Sequence, residues 1–201
     1  MARLIKMISL LAFLLTLMPL AASAIVESDT ETEYPDQISM DVGGQAQNLI
    51  VTGVGLREKT FLKVDVYTIV SYVAEGTTLA DDKGVSLLQA DVAKQLRMDL
   101  RRGFSREKLI NSFKDVIEDN YDDTSAFDAD METFFGYFGK DAEENDILIF
   151  SYVPGIGLKT NLNGEDKGVI ANTEFSQALW TVWFGKDPAS GNLKKSLLSA
   201  L

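Results

Sequence analysis

Residues 53–73, GVGLREKTFLKVDVYTIVSYV, hold a long run of β-branched and aromatic residues with one arginine, Arg57, near its start. Successive residues of an extended strand point to opposite faces. One face would carry Leu62, Val64, Val66, Thr68, Val70 and Tyr72, and the other Lys63, Asp65, Tyr67, Ile69, Ser71 and Val73. The composition predicts a long strand, and the first face is the more apolar of the two.

Arg57 poses the functional question of the chain. A guanidinium is always charged, and it is costly to hold against apolar surface unless an anion pairs with it. The residue type alone favours an ordinary surface arginine at the start of a strand. The alternative is an arginine that pairs with an anion inside a cleft, and the strand by itself leaves both readings open.

Further strands are predicted on both sides of this stretch. ISMDV (38–42) and NLIVTGVG (48–55) flank a turn at Gly43-Gly44, and AKQLRMDL (93–100) alternates Leu96, Met98 and Leu100 with polar residues. ILIFSYVPG (147–155), GLKTNLN (157–163) and DKGVI (166–170) follow later in the chain. The Asn163-Gly164 dipeptide favours a tight hairpin between the last two.

Helices are predicted in the middle and at the end of the chain. Ser105 caps SREKLINSFKDVIEDN, whose apolar residues recur at helical spacing, and a second helix spans about 125–138 with an aromatic series expected in the core. NTEFSQALWTVWFG (172–185) begins at a cap and stops at Gly185, with at least one of Trp180 and Trp183 expected to be buried. A short last helix runs from about Ser190 to Leu201, and residues 77–92 do not decide between helix and loop.

This order of elements predicts an α+β fold: a large antiparallel sheet with helices packed on one face. The part of the chain that follows the predicted signal peptide, residues 25–201, has the length of a single domain with a sizeable core.

The N-terminus has the pattern of a secretory signal peptide over residues 1–24. Arg3 and Lys6 precede an apolar stretch from Met7 to Leu20, and Ala22-Ser23-Ala24 forms a cleavage site of the Ala-x-Ala type. The apolar stretch is too short to span a membrane. We therefore expect a periplasmic or secreted protein starting at Ile25, with a polar leader over 25–37 that is either mobile or an edge strand, and an ordered domain over 38–201.

The composition excludes several function classes. Without histidine or cysteine, the chain has no Ser-His-Asp or Cys-His nucleophile system and no zinc site built on those residues. A net charge of −11 disfavours nucleic acid as a partner. No metal site and no cofactor are expected, because the acidic residues between Glu118 and Asp130 lack the pattern of a calcium loop. The Gly-x-Gly pairs at 53–55 and 155–157 fit turns or close packing better than phosphate loops.

The chain resembles the chalcone isomerase-like family over nearly all of the mature region. The resemblance is carried by GVGLREKTFLKVDVYTIVSYV, by LRMDLRRGFSREKLINSF and by LNGEDKGVIANTEFSQALWTVWFGKDPASGNLKKSLLSAL. It implies an open-faced β-sandwich with a ligand cleft between the sheet and the helices. Members include plant enzymes that cyclise chalcones, plant relatives that bind fatty acids, and exported bacterial proteins.

The resemblance also implies five ligand-binding positions. The site arginine of the family falls on Arg57, its tyrosine on Phe104 and its asparagine on Asn111. One site threonine falls on Tyr67 and another on or beside Thr181. Phe104 has no hydroxyl group to stabilise a developing enolate, and loss of one such donor costs about 10²- to 10³-fold in rate.

The expected function is therefore binding of a fatty acid or similar acidic amphiphile, with its carboxylate at Arg57. Two alternatives stay open: an interaction or structural protein with a vestigial cleft, and an intramolecular lyase of the chalcone isomerase type. The sequence identifies no protein partner.

Overall fold

The computed structural model describes residues 23–59 and 64–201. Most of the predicted signal peptide, and the predicted strand positions Leu62 and Lys63, lie outside these residues.

A seven-stranded antiparallel sheet forms the centre of the fold. Its strands follow one another in chain order: β3 (Gln37–Val42), β4 (Gln45–Lys59), β5 (Val64–Ala74), β6 (Lys94–Leu100), β7 (Ile147–Val153), β8 (Gly157–Leu162) and β9 (Glu165–Ile170). Both predicted two-residue turns are confirmed. Gly43 and Gly44 join β3 to β4, and Asn163 and Gly164 join β8 to β9, each with positive φ as this hairpin type requires.

Five helices are described: α1 (Lys83–Gln89), α2 (Arg106–Asn120), α3 (Asp128–Gly136), α4 (Thr173–Phe184) and α5 (Gly191–Leu197). The predicted caps are confirmed, since the side chain of Ser105 accepts from Lys108 N and that of Asn172 from Glu174 N and Phe175 N. α3 and α5 are shorter than predicted. Residues 77–92, for which the sequence did not decide between helix and loop, contain the helix α1. None of the helices in the described ranges has the length and apolarity to cross a bilayer.

The main core lies between the helices and one face of the sheet. On β5 this face carries Tyr67, Ile69 and Val73, which is the face that the sequence ranked as less apolar. Trp180 and Trp183 of α4 are both buried against it, so the expectation of at least one buried tryptophan is confirmed. Of the aromatic series predicted for the core, Phe134 of α3 and Phe138 just after it are buried, whereas Phe135 and Tyr137 are half-buried.

The opposite face of the sheet is covered by an N-terminal hairpin, which is neither the mobile leader nor the edge strand that the sequence suggested, and order begins before Ile38. β1 (Ala24–Glu27) and β2 (Thr32–Pro35) pair antiparallel. Tyr34 is 2 % exposed, and its hydroxyl donates to Asp99 Oδ2 at 2.8 Å and accepts from Thr68 Oγ1 at 2.7 Å. A buried aromatic ring with both hydroxyl partners satisfied fixes the segment to the sheet.

Gly53 and Gly55 allow α5 to contact the backbone of β4 directly. A Cβ at Gly53 would lie 2.1 Å from Ser196 O, and one at Gly55 would lie 2.8 Å from Leu193 Cδ1. Thr52 Oγ1 also donates to Leu197 O at 2.8 Å. These glycines are close-packing positions, as predicted, and not a phosphate loop.

Lys94 on β6 is a buried cation that ties the end of α1 to the sheet. Its Nζ donates to the backbone oxygens of Leu87, Leu88 and Ala90 at 2.9, 2.8 and 3.0 Å. Burial lowers the pKa of Lys94 to about 7, against a smaller upward effect from Asp91. The ammonium form supplies all three hydrogen bonds, and the neutral amine can supply only two.

The stability of the protein is expected to rise with pH above neutrality because of Lys94. The unfolded lysine keeps its proton up to about pH 10.5, but the folded one loses it near pH 7. The unfolded chain therefore binds more protons in between, and the free energy of unfolding should gain about 1 kcal/mol per pH unit from this residue. Urea unfolding of wild type and Lys94→Met at pH 7, 8 and 9 checks this. Parallel pH profiles for the two proteins would contradict it.

Candidate functional site

A cavity of about 550 Å³ opens between the sheet and the helical layer. We call it the arginine cavity, because Arg57 lies on its wall. It is lined by residues of β4, β5 and β6, by residues 102–105, by α2 and by the end of α4 with Ala189. Its volume lies within the usual range of small-molecule sites, about 300 to 1,000 Å³.

Most of the wall of this cavity is apolar. The apolar lining residues come from five different segments: Val66, Met98, Leu100, Phe104, Leu109, Phe113, Val116, Val182, Trp183 and Ala189. Phe113 and Trp183 are nearly fully buried, and their ring centroids are 6.1 Å apart in an edge-to-face arrangement. Such a wall can hold a hydrocarbon chain but offers it few polar contacts.

Arg57 sits where the pairing of β4 with β5 becomes irregular. It lies opposite Tyr67, and the register shifts between Arg57 and Glu58. Bulges of this kind redirect side chains and are frequent beside functional sites. Arg57 is half-buried, and its Nη1 donates to the backbone oxygen of Glu58. No carboxylate within the described ranges forms an ion pair with it.

Tyr67 brings a hydroxyl group into the arginine cavity. The side chain is 8 % exposed, and its oxygen accepts a hydrogen bond from Trp183 Nε1 at 3.2 Å. Burial raises the pKa of Tyr67 to about 12, although the Trp183 hydrogen bond and the charge of Arg57 act in the opposite direction. The phenol is therefore neutral at physiological pH, and its hydrogen is free to be donated to a ligand next to Arg57.

Phe104 lies at the rim of the arginine cavity, close to the start of α2. Its backbone exchanges two hydrogen bonds with Ala142, at 2.8 and 2.9 Å, which fixes the rim to the segment after α3. The guanidinium carbon of Arg102 lies 5.6 Å from the centroid of its ring. The structure thus brings Arg57, Tyr67 and Phe104 together, as the sequence predicted.

Asn111 and Thr181 do not line the arginine cavity, although the predicted position on or beside Thr181 includes its neighbour Val182, which does. Asn111 is exposed on α2, turned away from the side of the helix that carries Leu109 and Phe113. Thr181 is buried, but it faces the other side of α4 from Trp183, and its hydroxyl donates to Ala178 O at 2.6 Å. Their neighbours Ser112 and Val182 occupy the lining positions instead.

The sequence analysis missed three cations of the arginine cavity. Lys59, Arg102 and Lys108 line it together with Arg57, and all three are exposed. The described lining contains no aspartate or glutamate. The signal for two of them was present in RRGFSREK, a cluster of basic residues around the cap of α2, whereas Lys59 follows Arg57 on the same strand.

A second cavity, of about 600 Å³, lies on the other side of Leu109. It is formed by the segment after α3 and by β7, β8 and β9, and its charged lining residues are Lys140, Lys167, Asp141, Asp146 and Glu165. Lys167 and Glu165 form an ion pair at 2.6 Å. Charges of both signs make this cavity unlike the first.

Comparisons with known proteins agree with the family resemblance. The sequence model described as chalcone isomerase-like matches residues 30–199. The chain belongs to the chalcone isomerase-like family. A search of curated protein sequences found no match.

Among solved structures, this chalcone isomerase-like chain is similar to a fatty-acid binding protein of Arabidopsis thaliana. The TM-score is 0.68 with 19 % sequence identity, over 88 % of this chain and 96 % of the plant protein. The similarity confirms the predicted fold, a curled antiparallel sheet with helices on one side. In this chalcone isomerase-like chain the arginine cavity lies between those two layers, where the family resemblance implied a ligand cleft.

Proposed function

We propose that this protein is an exported, non-catalytic member of its family that binds a fatty acid or similar acidic amphiphile in the arginine cavity. One observation carries the proposal: an apolar cavity whose charged lining residues, among those described, are all cations. An apolar wall selects a hydrocarbon tail, and cations without carboxylate partners select an anionic head.

The head group is held by Arg57 and Tyr67. A carboxylate can pair with both outer nitrogens of a guanidinium, and it can accept a further hydrogen bond from the free hydrogen of the Tyr67 phenol. Arg57 lies opposite Tyr67 in the β4–β5 ladder, so one carboxylate can reach both. This contact would supply the anion that Arg57 lacks in the described structure.

The tail lies against the apolar wall formed by Phe113, Val116 and Trp183. Each methylene moved from water to such a wall contributes about 0.8 kcal/mol. Tail burial therefore supplies most of the affinity, and Arg57 fixes the orientation of the ligand.

The same residues argue against efficient catalysis. Phe104 stands where the family enzymes place a hydroxyl group, and no described lining residue is a carboxylate or a histidine that could act as a base. The phenol of Tyr67 ionises only near pH 12. Binding requires no proton transfer, so it is the activity that this residue set supports.

The name of the plant structure supports the same proposal, since that protein is described as a fatty-acid binding protein. Export is proposed from the signal-like pattern of residues 1–24.

Native mass spectrometry of the protein purified from cells tests the proposal. We expect an added mass that matches a fatty acid or another single-chain acid, and we expect the stripped protein to take up dodecanoate or palmitate. A protein that is empty when purified, and that takes up neither acid, would favour the interaction-protein alternative.

A further inference from the structure

We propose that the preferred head group is a phosphate monoester and not a carboxylate, so that the ligand class is a single-chain alkyl phosphate. This inference rests on the proposed function and narrows its ligand. It comes from the number and placement of the cations at the arginine cavity.

The charged residues of this cavity are cations, although the protein as a whole is acidic. The chain has 30 acidic and 19 basic residues, so a cavity wall drawn from it at random should contain more carboxylates than cations. The second cavity fits that expectation, with three carboxylates and two lysines. The arginine cavity has four cations and, among its described residues, no carboxylate.

The four cations also converge from separate parts of the fold. Arg57 and Lys59 belong to β4, Arg102 to the loop after β6, and Lys108 to the first turns of α2. None of them forms an ion pair with a described carboxylate. The sequence supplies two local pairs, Arg57 with Lys59 and Arg102 with Lys108, and the fold brings both pairs to one cavity.

A carboxylate carries one negative charge, whereas four cations line the cavity. It has about four acceptor sites, and Arg57 with Tyr67 already fills three of those sites. A phosphate monoester has three terminal oxygens and nearly two charges at neutral pH, because its second pKa is about 6. The third oxygen and the second charge give Arg102 and Lys108 a partner at the rim.

Matched ligands with one chain length test the head group. Dodecyl phosphate, dodecanoate, dodecylphosphocholine and inorganic phosphate would each be titrated below any micelle concentration, and the fluorescence of Trp183 in the cavity wall reports binding. At pH 7.5 we expect dodecyl phosphate to bind at least about tenfold more tightly than dodecanoate, the gain from one added charge-assisted hydrogen bond. The advantage should shrink as the pH falls through about 6, where the phosphate gains its second proton.

Variants of Arg102 and Lys108 test whether these cations cause the preference for dodecyl phosphate over dodecanoate. Arg102→Gln with Lys108→Gln should weaken the binding of dodecyl phosphate about tenfold more than the binding of dodecanoate, and so remove most of the preference for the phosphate. Lys114→Gln is the matched control, because Lys114 is an exposed lysine of α2 that does not line the cavity. It should keep the wild-type preference.

The outcomes separate this inference from the proposed function. Equal or tighter binding of dodecanoate would overturn the phosphate inference and leave the proposed function standing. Dodecylphosphocholine or inorganic phosphate binding as tightly as dodecyl phosphate would also overturn it, because the dianionic head and the tail would then not act together. Failure of every amphiphile to bind would remove both.

Discussion

Replacing Arg57 with alanine is expected to weaken the binding of a long-chain fatty acid by about 2 to 5 kcal/mol, the range for removing one partner of a buried charge pair. The carboxylate would keep the hydroxyl of Tyr67 but would lose its two-pronged contact with the guanidinium. Arg57→Lys should recover only part of the loss, since an ammonium is a point charge. Isothermal titration of palmitate against the three proteins measures the differences.

The control for this experiment is Lys114→Ala, which removes a cation outside the arginine cavity and should leave the affinity unchanged. Arg57→Ala should hardly alter the free energy of unfolding, because Arg57 is only half-buried and forms no ion pair with a described carboxylate. Equal affinities for wild type and Arg57→Ala would remove Arg57 from the head-group site.

Replacing Trp183 with alanine is expected to lower the free energy of unfolding by about 3 to 5 kcal/mol, the usual cost of deleting a buried aromatic side chain. Trp183 is 1 % exposed, and its ring lies 6.0 Å from that of Phe150 and 6.1 Å from that of Phe113. The substitution enlarges the arginine cavity and leaves the oxygen of Tyr67 without its described donor. Chemical denaturation of the purified proteins measures the loss.

Trp183→Phe separates the packing of the ring from its hydrogen bond. Phenylalanine fills most of the same volume but has no N–H group, so its loss of stability should be well below that of the alanine variant. A loss below about 1 kcal/mol for Trp183→Ala is typical of surface substitutions and would contradict the burial of this residue.

The parts of the fold predicted correctly from the sequence are those with local chemical signals. Positive-φ turns need residues such as Asn163 and Gly164, and helix starts need side-chain acceptors such as Ser105 and Asn172. These requirements act within a few residues of the chain. A sequence therefore shows them without knowledge of the tertiary structure.

The N-terminal hairpin could not be predicted in this way. Residues 25–37 are polar and acidic, and their order depends on Tyr34 finding Thr68 and Asp99 on the far face of the sheet. Those partners are 34 and 65 residues away in the chain. The two faces of β5 were ranked wrongly for a related reason. The helices cover one face and this hairpin covers the other, so both faces are apolar. Apolarity alone therefore did not identify the side on which the helices pack.

The candidate site was predicted in part. The family resemblance placed Arg57 and Tyr67 on strands, where a shift of one residue would move a side chain to the opposite face. On helices the neighbours differ by about 100°, and the predicted positions Asn111 and Thr181 each fell one residue from a lining residue. The rim cations were missed because their meeting arises from the fold and not from any one motif.

A crystal structure with a fatty acid that carries bromine at the end of its chain tests the central claim most directly. We expect density for the carboxylate within hydrogen-bonding distance of both Arg57 and Tyr67. The anomalous signal of bromine should lie against the apolar wall near Phe113 and Trp183. Bromine and carboxylate in the second cavity, or an empty arginine cavity under saturating ligand, would contradict the account.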